Sequence, residues 1–374
     1  MGLFPLITSC LAPVSRNEEA SLSEEAFSPD FSPEYSIPGD FDFGGKVARW
    51  PGFREAAASI TFDDGTYDQY NTAWPILEKK GVKGTFYLAA GLIGTGDWND
   101  HGTVRRMMDW DQASAIAETG HEIGSHSLNH VDVTAEGVDL DVELRESREL
   151  IEARIPDISV ETFCWPHWRE TAETMEKASR HYISARSGNG IISYYYSRKG
   201  GIPSDPPSNM YAVNALGILN SQSEEEWREV ADRVYKEKSW FVTSFHGFEP
   251  AGGPTAGAGW SSLSEEMFEA FLDFLLEKEY WIDTFAAVSK YIYERDASVL
   301  RLINRGTNLE LTLDDGLDDS VYNRKLTLSL NLPNGWENPS LYTSEGIGIP
   351  VKIEDGKLQT EILPDGSSLF LKPY

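Results

Sequence analysis

Cysteine is almost absent from this chain: 374 residues include only Cys10 and Cys164. Two thiols allow at most one disulfide, which excludes a fold built on a disulfide framework. No run of about 18 apolar residues occurs, so the sequence predicts no membrane-spanning helix. Basic side chains are also scarce, 32 against 60 acidic ones, giving a net charge of −28. Nucleic acid binding needs a basic face, so we predict no nucleic acid partner.

Apolar residues, in contrast, are plentiful enough for one large domain and a small one. Residues 41–297 alternate strand-like runs with helix-like stretches. The strand-like runs are ASITF, KGTFYLAA, HEIGSHS, VETFCWP, YISARS, WFVTSFH and WIDTF. This alternation predicts an α/β fold with a parallel sheet or barrel.

The two ends of the chain differ from the middle in residue composition and pattern. Residues 298–374 form short alternating runs punctuated by Gly, Asn, Asp and Pro, which predicts a small C-terminal all-β, sandwich-like domain. The LDDG at 313–316 in that region is interpreted as a turn between strands. Residues 1–40 are interpreted as a signal remnant followed by a flexible acidic linker.

The first ten residues, MGLFPLITSC, end in a segment that resembles the lipobox of bacterial lipoproteins. The resemblance implies a lipid anchor at Cys10. We therefore expect a secreted, periplasmic or cell-surface lipoprotein of a bacterium.

A buried strand that ends on two adjacent acids is the strongest chemical signal. In SITFDDG, the apolar run stops at Asp63 and Asp64, whose charges repel unless a cation offsets them. Downstream, His126 and His130 are four residues apart in HEIGSHSLNH, a spacing that aims both imidazoles the same way. Carboxylate oxygen with imidazole nitrogen suits Zn²⁺ and other first-row divalent ions. Three protein ligands leave a coordination position open, which is typical of a catalytic site.

TFDDG followed by HSxxH resembles the NodB-type polysaccharide deacetylases, carbohydrate esterase family four. FCWPHW at 163–168 lies at the place of the family's third motif, and SFHGF at 244–248 is similar to its last. The order and spacing match from the fifties to the 290s. The resemblance implies a distorted (β/α) barrel that removes N- or O-linked acetyl groups from a carbohydrate, polysaccharide or oligosaccharide.

The resemblance also implies a role for each motif residue. Asp63 is the base, His246 is the acid, and the backbone N–H of His167 stabilises the oxyanion. One divalent metal ion is held, with Zn²⁺ expected and Co²⁺, Ni²⁺ or Mn²⁺ as alternatives, by Asp64, His126 and His130. The family often has an acid that tunes the catalytic histidine, for which Asp283 in WIDTF is the candidate.

The third motif departs from the family pattern, because Cys164 occupies the position nearest to its usual arginine. We predict that Arg186, at the end of YISARS, supplies the missing positive charge beside Asp63. The bulky residues of this motif and of a Gly-rich loop are candidates for substrate binding: His167, Trp168 and Trp260. The loop itself, GGPTAGAGW, is a candidate lid.

Two other functions stay open. Relatives of this fold open cyclic amides or imides, so the substrate could be a non-carbohydrate amide. The second alternative is a catalytically inactive carbohydrate-binding protein. Asp63 and His246 argue against an inactive binding protein, because binding alone needs neither residue. The altered third motif keeps this alternative open.

Overall fold

The computed structural model describes residues 36–100, 102–188, 207, 209–249 and 258–373. Cys10 lies outside these ranges, so the lipid anchor stays a prediction. The strands described are β1 (Lys46–Val47), β2 (Ala57–Phe62), β3 (Thr85–Leu88), β4 (Asp97–Asp100), β5 (Thr103–Arg106), β6 (Glu122–Ser125), β7 (Thr162–Cys164), β8 (Ser184–Arg186), β9 (Leu216–Gly217), β10 (Trp240–Phe245), β11 (Phe248–Glu249), β12 (Leu263–Ser264), β13 (Trp281–Ile282), β14 (Val299–Asn304), β15 (Leu309–Asp314), β16 (Leu326–Asn331), β17 (Ser340–Thr343), β18 (Gly348–Ile349), β19 (Val351–Glu354), β20 (Lys357–Ile362) and β21 (Leu369–Lys372).

The helices begin where a hydroxyl or carboxylate side chain caps the first turn in most cases. Ser223, for example, accepts from the backbone N–H of Glu226 while the Glu226 side chain returns to the N–H of Ser223. The helices are α1 (Trp74–Lys80), α2 (Trp110–Glu118), α3 (Leu140–Arg154), α4 (Ala172–Ala178), α5 (Glu224–Lys236), α6 (Glu265–Glu277) and α7 (Phe285–Ala297). A π-helical turn, Gln69–Ala73, precedes α1. No helix among the described residues is long and apolar enough to cross a membrane.

A curled parallel sheet forms the centre of the molecule, in the order β8-β7-β6-β3-β2-β10-β9. Strand β2 is buried along its whole length because it has neighbours on both edges and helices over the sheet. Strand β3 pairs with the second half of β2, whereas β13 pairs with the first half. The predicted α/β fold of the distorted (β/α) barrel type is confirmed.

The C-terminal region is all-β, as predicted. One sheet has the order β14-β15-β21-β17-β18 and the other β1-β16-β20-β19. Alternate leucines of β15 and β16 are buried in a shared core: Leu309, Leu311, Leu313, Leu326, Leu328 and Leu330. Two such sheets with one apolar interior form a small sandwich.

The N-terminal segment packs on this β region rather than on the central sheet alone. Strand β1 pairs with β16, and the N–H of Ile37 donates to the carbonyl of Gly306 at 2.7 Å. Helix α7 ends at Ala297 and β14 begins at Val299. The division of the chain at residues 40 and 297 into linker, α/β domain and β domain stays a prediction.

Several elements of the α/β region were not predicted, among them the β4–β5 hairpin, the short strands β9, β11 and β12, and helix α7. The hairpin of β4 and β5 lies in a stretch, DWNDHGTVRR, that mixes charge with few apolar residues. Helix α7 begins at Phe285, the last residue of WIDTF, and is buried on almost every side, so its sequence lacks a polar face with helical spacing. The stretch from His126 to His130 is a turn rather than a helix, since Ser127 has φ 65° and His130 has φ 53°.

Candidate active site

The predicted chemical groups meet at the carboxyl edge of the central sheet. Asp63 and Asp64 follow β2, and His126 follows β6. Arg186 is the last residue of β8, and His246 follows β10. Because these strands are parallel, their carboxyl ends lie at one edge, which is where α/β barrels assemble sites. Residues far apart in the sequence therefore come within contact distance.

The backbone at this edge is unusually strained. Five non-glycine residues here have positive φ: Asp64 at 77°, Ser127 at 65°, His130 at 53°, His167 at 57° and Trp168 at 55°. Each such conformation costs on the order of 1–3 kcal/mol and persists only where the surroundings enforce it. Four of the five residues, Asp64, His130, His167 and Trp168, line the cavity at this edge, and the Ser127 hydroxyl accepts from the N–H of His130.

Glu143 of α3 enforces the His126–His130 turn. Its carboxylate accepts from the N–H of Leu128 at 3.0 Å and the N–H of Asn129 at 2.9 Å. It also accepts from the side-chain amide of Asn129 at 2.7 Å. Glu143 was not predicted, because nothing in its sequence position distinguishes it from the other acids of α3.

Asp64, His126 and His130 converge as predicted. Their ligand atoms all lie within 4.8 Å of one another. The Asp64 Oδ1 is 3.2 Å from the His130 Nε2 and 3.6 Å from the His126 Nε2. Ligand atoms around a tetrahedral ion with bonds of about 2.0–2.1 Å lie roughly 3.3 Å apart. The three residues therefore fit a divalent ion in both donor type and spacing.

The electrostatics of Asp64 and His126 suit a cation. Burial would lower the pKa of His130, but its hydrogen bond to Asp64 raises it. Burial lowers the pKa of His126 to about 4, so its ring is neutral near pH 7. The His126 Nδ1 lies 2.9 Å from the carbonyl of Cys164, to which it donates, and this leaves the Nε2 lone pair facing Asp64. Burial alone would raise the pKa of Asp64, but its hydrogen bond to His130 and the nearby imidazoles bring that pKa well below its usual range.

Asp63 belongs to a different environment. The Arg186 Nη2 lies 2.6 Å from its Oδ1 and 2.5 Å from its Oδ2, and both side chains are buried. The Ser244 hydroxyl donates to Oδ2 at 3.0 Å, and the His246 Nε2 lies 3.5 Å from the same oxygen. Burial would raise the pKa of Asp63, but Arg186 and His246 hold it below its usual range.

Arg186 therefore lies where the sequence predicted it, beside Asp63. Cys164 is fully buried next to the same guanidinium, and burial raises the pKa of its thiol well above the usual range. A small neutral side chain at position 164 leaves room for Arg186 to reach Asp63 from the neighbouring strand. The raised pKa makes Cys164 a poor nucleophile.

A cavity of about 340 Å³ opens over these groups. Its lining includes the three predicted substrate-binding residues, His167, Trp168 and Trp260, with Trp260 39% exposed. Trp98 and Asp100 of the β4–β5 hairpin line it as well and were not predicted. The size is within the range of sites for small ligands.

The β4–β5 hairpin contacts both the histidine turn and the segment that carries Trp260. Trp98 packs edge-on to His130, with ring centroids 5.1 Å apart. Arg105 donates to Asp100 at 2.8 Å and to the carbonyl of Ala258 at 3.2 Å. The buried side chain of Arg105 thus links the hairpin that carries Trp98 to the segment that carries Trp260.

Asp283 does not lie in the site, so its predicted role as a partner of His246 is wrong. Strand β13 pairs only with Ala57 and Ala58, at the amino end of β2. Asp283 accepts from Arg324 of the β region at 2.7 Å instead. Of the predicted lid, GGPTAGAGW at 252–260, residues 252–257 lie outside the described residues, so its role as a lid stays a prediction.

Comparisons with known proteins show what the chain is similar to. Residues 52–185 match a family model described as polysaccharide deacetylase. A gellan lyase from Bacillus sp. is 23% identical over 88% of this chain and 13% of its own length. A chitin deacetylase from Arthroderma benhamiae is 30% identical over 26% of this chain and 23% of its own length.

Among solved structures, a family 4 carbohydrate esterase from Bacillus anthracis is 16% identical, with a TM-score of 0.39. That alignment covers 67% of this chain and 86% of the esterase chain. The chain spans less than a quarter of the length of these two curated relatives.

Proposed function

We propose that this chain is a metal-dependent hydrolase that removes acetyl groups from a carbohydrate, because residues 52–185 match a family model described as polysaccharide deacetylase. The observation that supports the proposal is a division of labour between two adjacent acids. Asp64 faces His126 and His130, whereas Asp63 faces Arg186 and His246. One acid is placed to bind a cation and the other to move a proton.

Asp64, His126 and His130 would hold the ion, for which we propose Zn²⁺ from the donor set. When bound, such an ion polarises an acyl oxygen and makes a nearby water a stronger nucleophile. Asp63 is the proton acceptor, and its lowered pKa keeps it ionised near neutral pH. Arg186 and Ser244 fix its two oxygens, so that the carboxylate cannot rotate away.

His246 is the proton donor to the leaving amine or alcohol. Its Nε2 lies on the cavity side, 3.5 Å from the Asp63 Oδ2. The two proton-transfer groups therefore flank one position, which suits hydrolysis in which one accepts a proton and the other returns it. The N–H of His167 at the cavity wall is the proposed oxyanion donor.

The substrate is proposed to be an acetylated sugar of a polymer or oligosaccharide. The cavity is lined by three tryptophans, Trp98, Trp168 and Trp260. Large rigid rings bind an apolar sugar face at low entropic cost, while their N–H groups stay available to hydroxyls. The family match is to polysaccharide deacetylases, and either an N- or an O-linked acetyl group fits the proposed chemistry.

Acetate release tests the proposal. The protein is incubated with acetylated xylan, chitin oligosaccharides, peptidoglycan fragments and acetylated monosaccharides, with Zn²⁺ or Co²⁺ or with a chelator. We expect release from at least one substrate, loss of that release with chelator, and recovery when the metal is restored. Metal-loaded protein that releases no acetate from any of them would overturn the proposal and favour the amide-opening or the binding-only function.

A further inference from the structure

A buried glutamine lies directly behind the two proton-transfer residues. Gln69 is fully buried at the start of the π-helical turn. Its Nε2 donates to the main-chain carbonyl of Asp63 at 2.5 Å and to that of His246 at 2.8 Å. One amide group therefore joins the end of β2 to the end of β10.

The orientation of this amide is determined by its two acceptors. If the group were flipped, Oε1 would face two carbonyl oxygens and both hydrogen bonds from Gln69 would be lost. In the observed orientation Oε1 is buried without a hydrogen-bond partner among the described residues. A buried unpaired carbonyl lowers the free energy of unfolding, so this orientation is unfavourable for Oε1 while it keeps both donor bonds. An unsatisfied buried group of this kind calls for an explanation beyond packing.

His246 depends on this contact more than Asp63 does. The Asp63 carbonyl also accepts from the N–H of Gly65 at 3.0 Å, and the Asp63 carboxylate is held by Arg186 and Ser244. The His246 Nδ1, in contrast, is buried with no hydrogen-bond partner in the described part of the chain. Its ring is otherwise steadied by an edge-on contact with Trp260, with centroids 4.9 Å apart.

The neighbouring Asp68 reinforces the same junction. Its Oδ2 accepts from the N–H groups of Phe248 and Gly259, one residue before Trp260. Gly247 and Gly259 approach so closely that a Cβ on Gly247 would lie 2.3 Å from the Gly259 carbonyl oxygen. Residues 68 and 69 thus connect the π-helical turn to both segments that position the His246 ring.

We propose that Gln69 is a positioning residue that holds His246 through its main-chain carbonyl and so aligns the acid with Asp63. This inference rests on the proposed function, because it assumes that His246 protonates the leaving group. The consequence is specific: loss of Gln69 should impair reactions that need the acid and spare those that do not.

The test compares two leaving groups on metal-loaded protein. An acetylated sugar that the native protein hydrolyses needs protonation of its amine or alcohol, whereas 4-nitrophenyl acetate releases a phenolate that does not. Gln69→Met keeps the unbranched shape and removes both donor bonds. Gln222→Met is the matched control, since Gln222 is also buried but accepts from the N–H of Leu219, away from the cavity.

We expect Gln69→Met to lower kcat on the sugar by about 10- to 100-fold, part of the ~10²–10⁴ that a positioned acid contributes. On 4-nitrophenyl acetate kcat should fall less than about threefold, KM should stay within about twofold, and Gln222→Met should leave both reactions unchanged. If Gln69→Met does not fold, Gln69→Leu also removes both donor bonds with a smaller apolar side chain, with the same expectation.

An equal loss of kcat on both substrates, or no loss on either, would overturn the role of Gln69. The proposed function fails in a different way, because then the native protein itself releases no acetate from any sugar.

Discussion

The sequence Asp-Asp-Gly occurs twice in this chain, and the two copies have different surroundings. Asp63 and Asp64 follow β2 and are 1% and 4% exposed. Asp314 ends β15 and is exposed; its Oδ1 accepts from the N–H of Gly316 at 3.0 Å, and the Oδ1 of Asp315 accepts from Leu317 at 2.8 Å. The first copy faces two histidines and an arginine, whereas the second closes its own turn.

Strand direction explains the difference. Strand β2 has parallel neighbours, so the ends of β6, β8 and β10 bring His126, Arg186 and His246 to the same edge. Strand β15 pairs antiparallel with β14 and β21, so its end meets the starts of other strands and a turn. Among the described residues no group of three ligating side chains forms there. A short motif acquires chemistry only through the strand ends that its fold places beside it.

Removal of Asp64, the acid proposed to bind the metal, should give the largest effect. Asp64→Asn replaces the carboxylate that lies 3.2 Å from the His130 Nε2 with a weaker, neutral ligand. We expect acetate release to fall by on the order of 10³-fold or more, because every later step needs the polarised acyl group. Initial rates at saturating substrate measure this, and a variant within tenfold of the native rate would contradict it.

Arg186→Met should be the next most severe change, and it should reduce stability as well as activity. Removal of one partner from a buried pair costs about 3–5 kcal/mol, because the Asp63 carboxylate would be left without its charge partner. Acetate release should fall on the order of 10²-fold, as Asp63 loses its fixed orientation.

Arg145→Met is the control for that substitution, since Arg145 pairs with Glu149 on the surface, where such pairs contribute about 0–1 kcal/mol. Urea denaturation gives both free energies of unfolding. Equal losses for the two variants would show that the Asp63–Arg186 contact is not a structural requirement.

Trp98→Ala should affect substrate binding rather than chemistry. A lost ring contact of about 0.5–1.5 kcal/mol corresponds to a KM higher by roughly 2- to 10-fold, with kcat almost unchanged. Trp98→Phe keeps a ring and should recover most of the affinity. A fall in kcat without a change in KM would instead indicate that Trp98 positions His130, against which it packs.

The smallest effect is expected in the second copy of the motif. Asp314→Ala removes the turn hydrogen bond to Gly316 and should lower the free energy of unfolding by about 0.5–1.5 kcal/mol. Acetate release should stay within about twofold of the native rate. A large loss of activity would mean that the β region contributes to the site.

The groups that the sequence could predict are those attached to strand ends. Strand patterns and the alternation with helices place Asp63, Asp64, His126 and His246 at one edge before any coordinates are known. Arg186 was predicted on the same basis, and its contact with Asp63 is found in the structure. The third motif's missing arginine was informative because a buried carboxylate needs a charge partner.

The groups that escaped prediction act through side chains whose direction depends on tertiary packing. Glu143 is one of several acids on α3, and only the packed structure shows that it faces the histidine turn. Trp98 depends on a hairpin without an apolar alternation. Asp283 was misplaced because β13 is two residues long and ends at the level of Ala58, far short of the carboxyl edge.

The most direct test of the central claim is the metal content of Asp63→Asn and Asp64→Asn, measured with acetate release on the same samples. The division of labour predicts that Asp63→Asn retains about one bound divalent ion per chain and loses about 10²–10⁴ in rate. It predicts that Asp64→Asn loses both the ion and the activity. An Asp63→Asn protein that loses its metal, or one that keeps its native rate, would contradict the assignment of separate roles to the two acids.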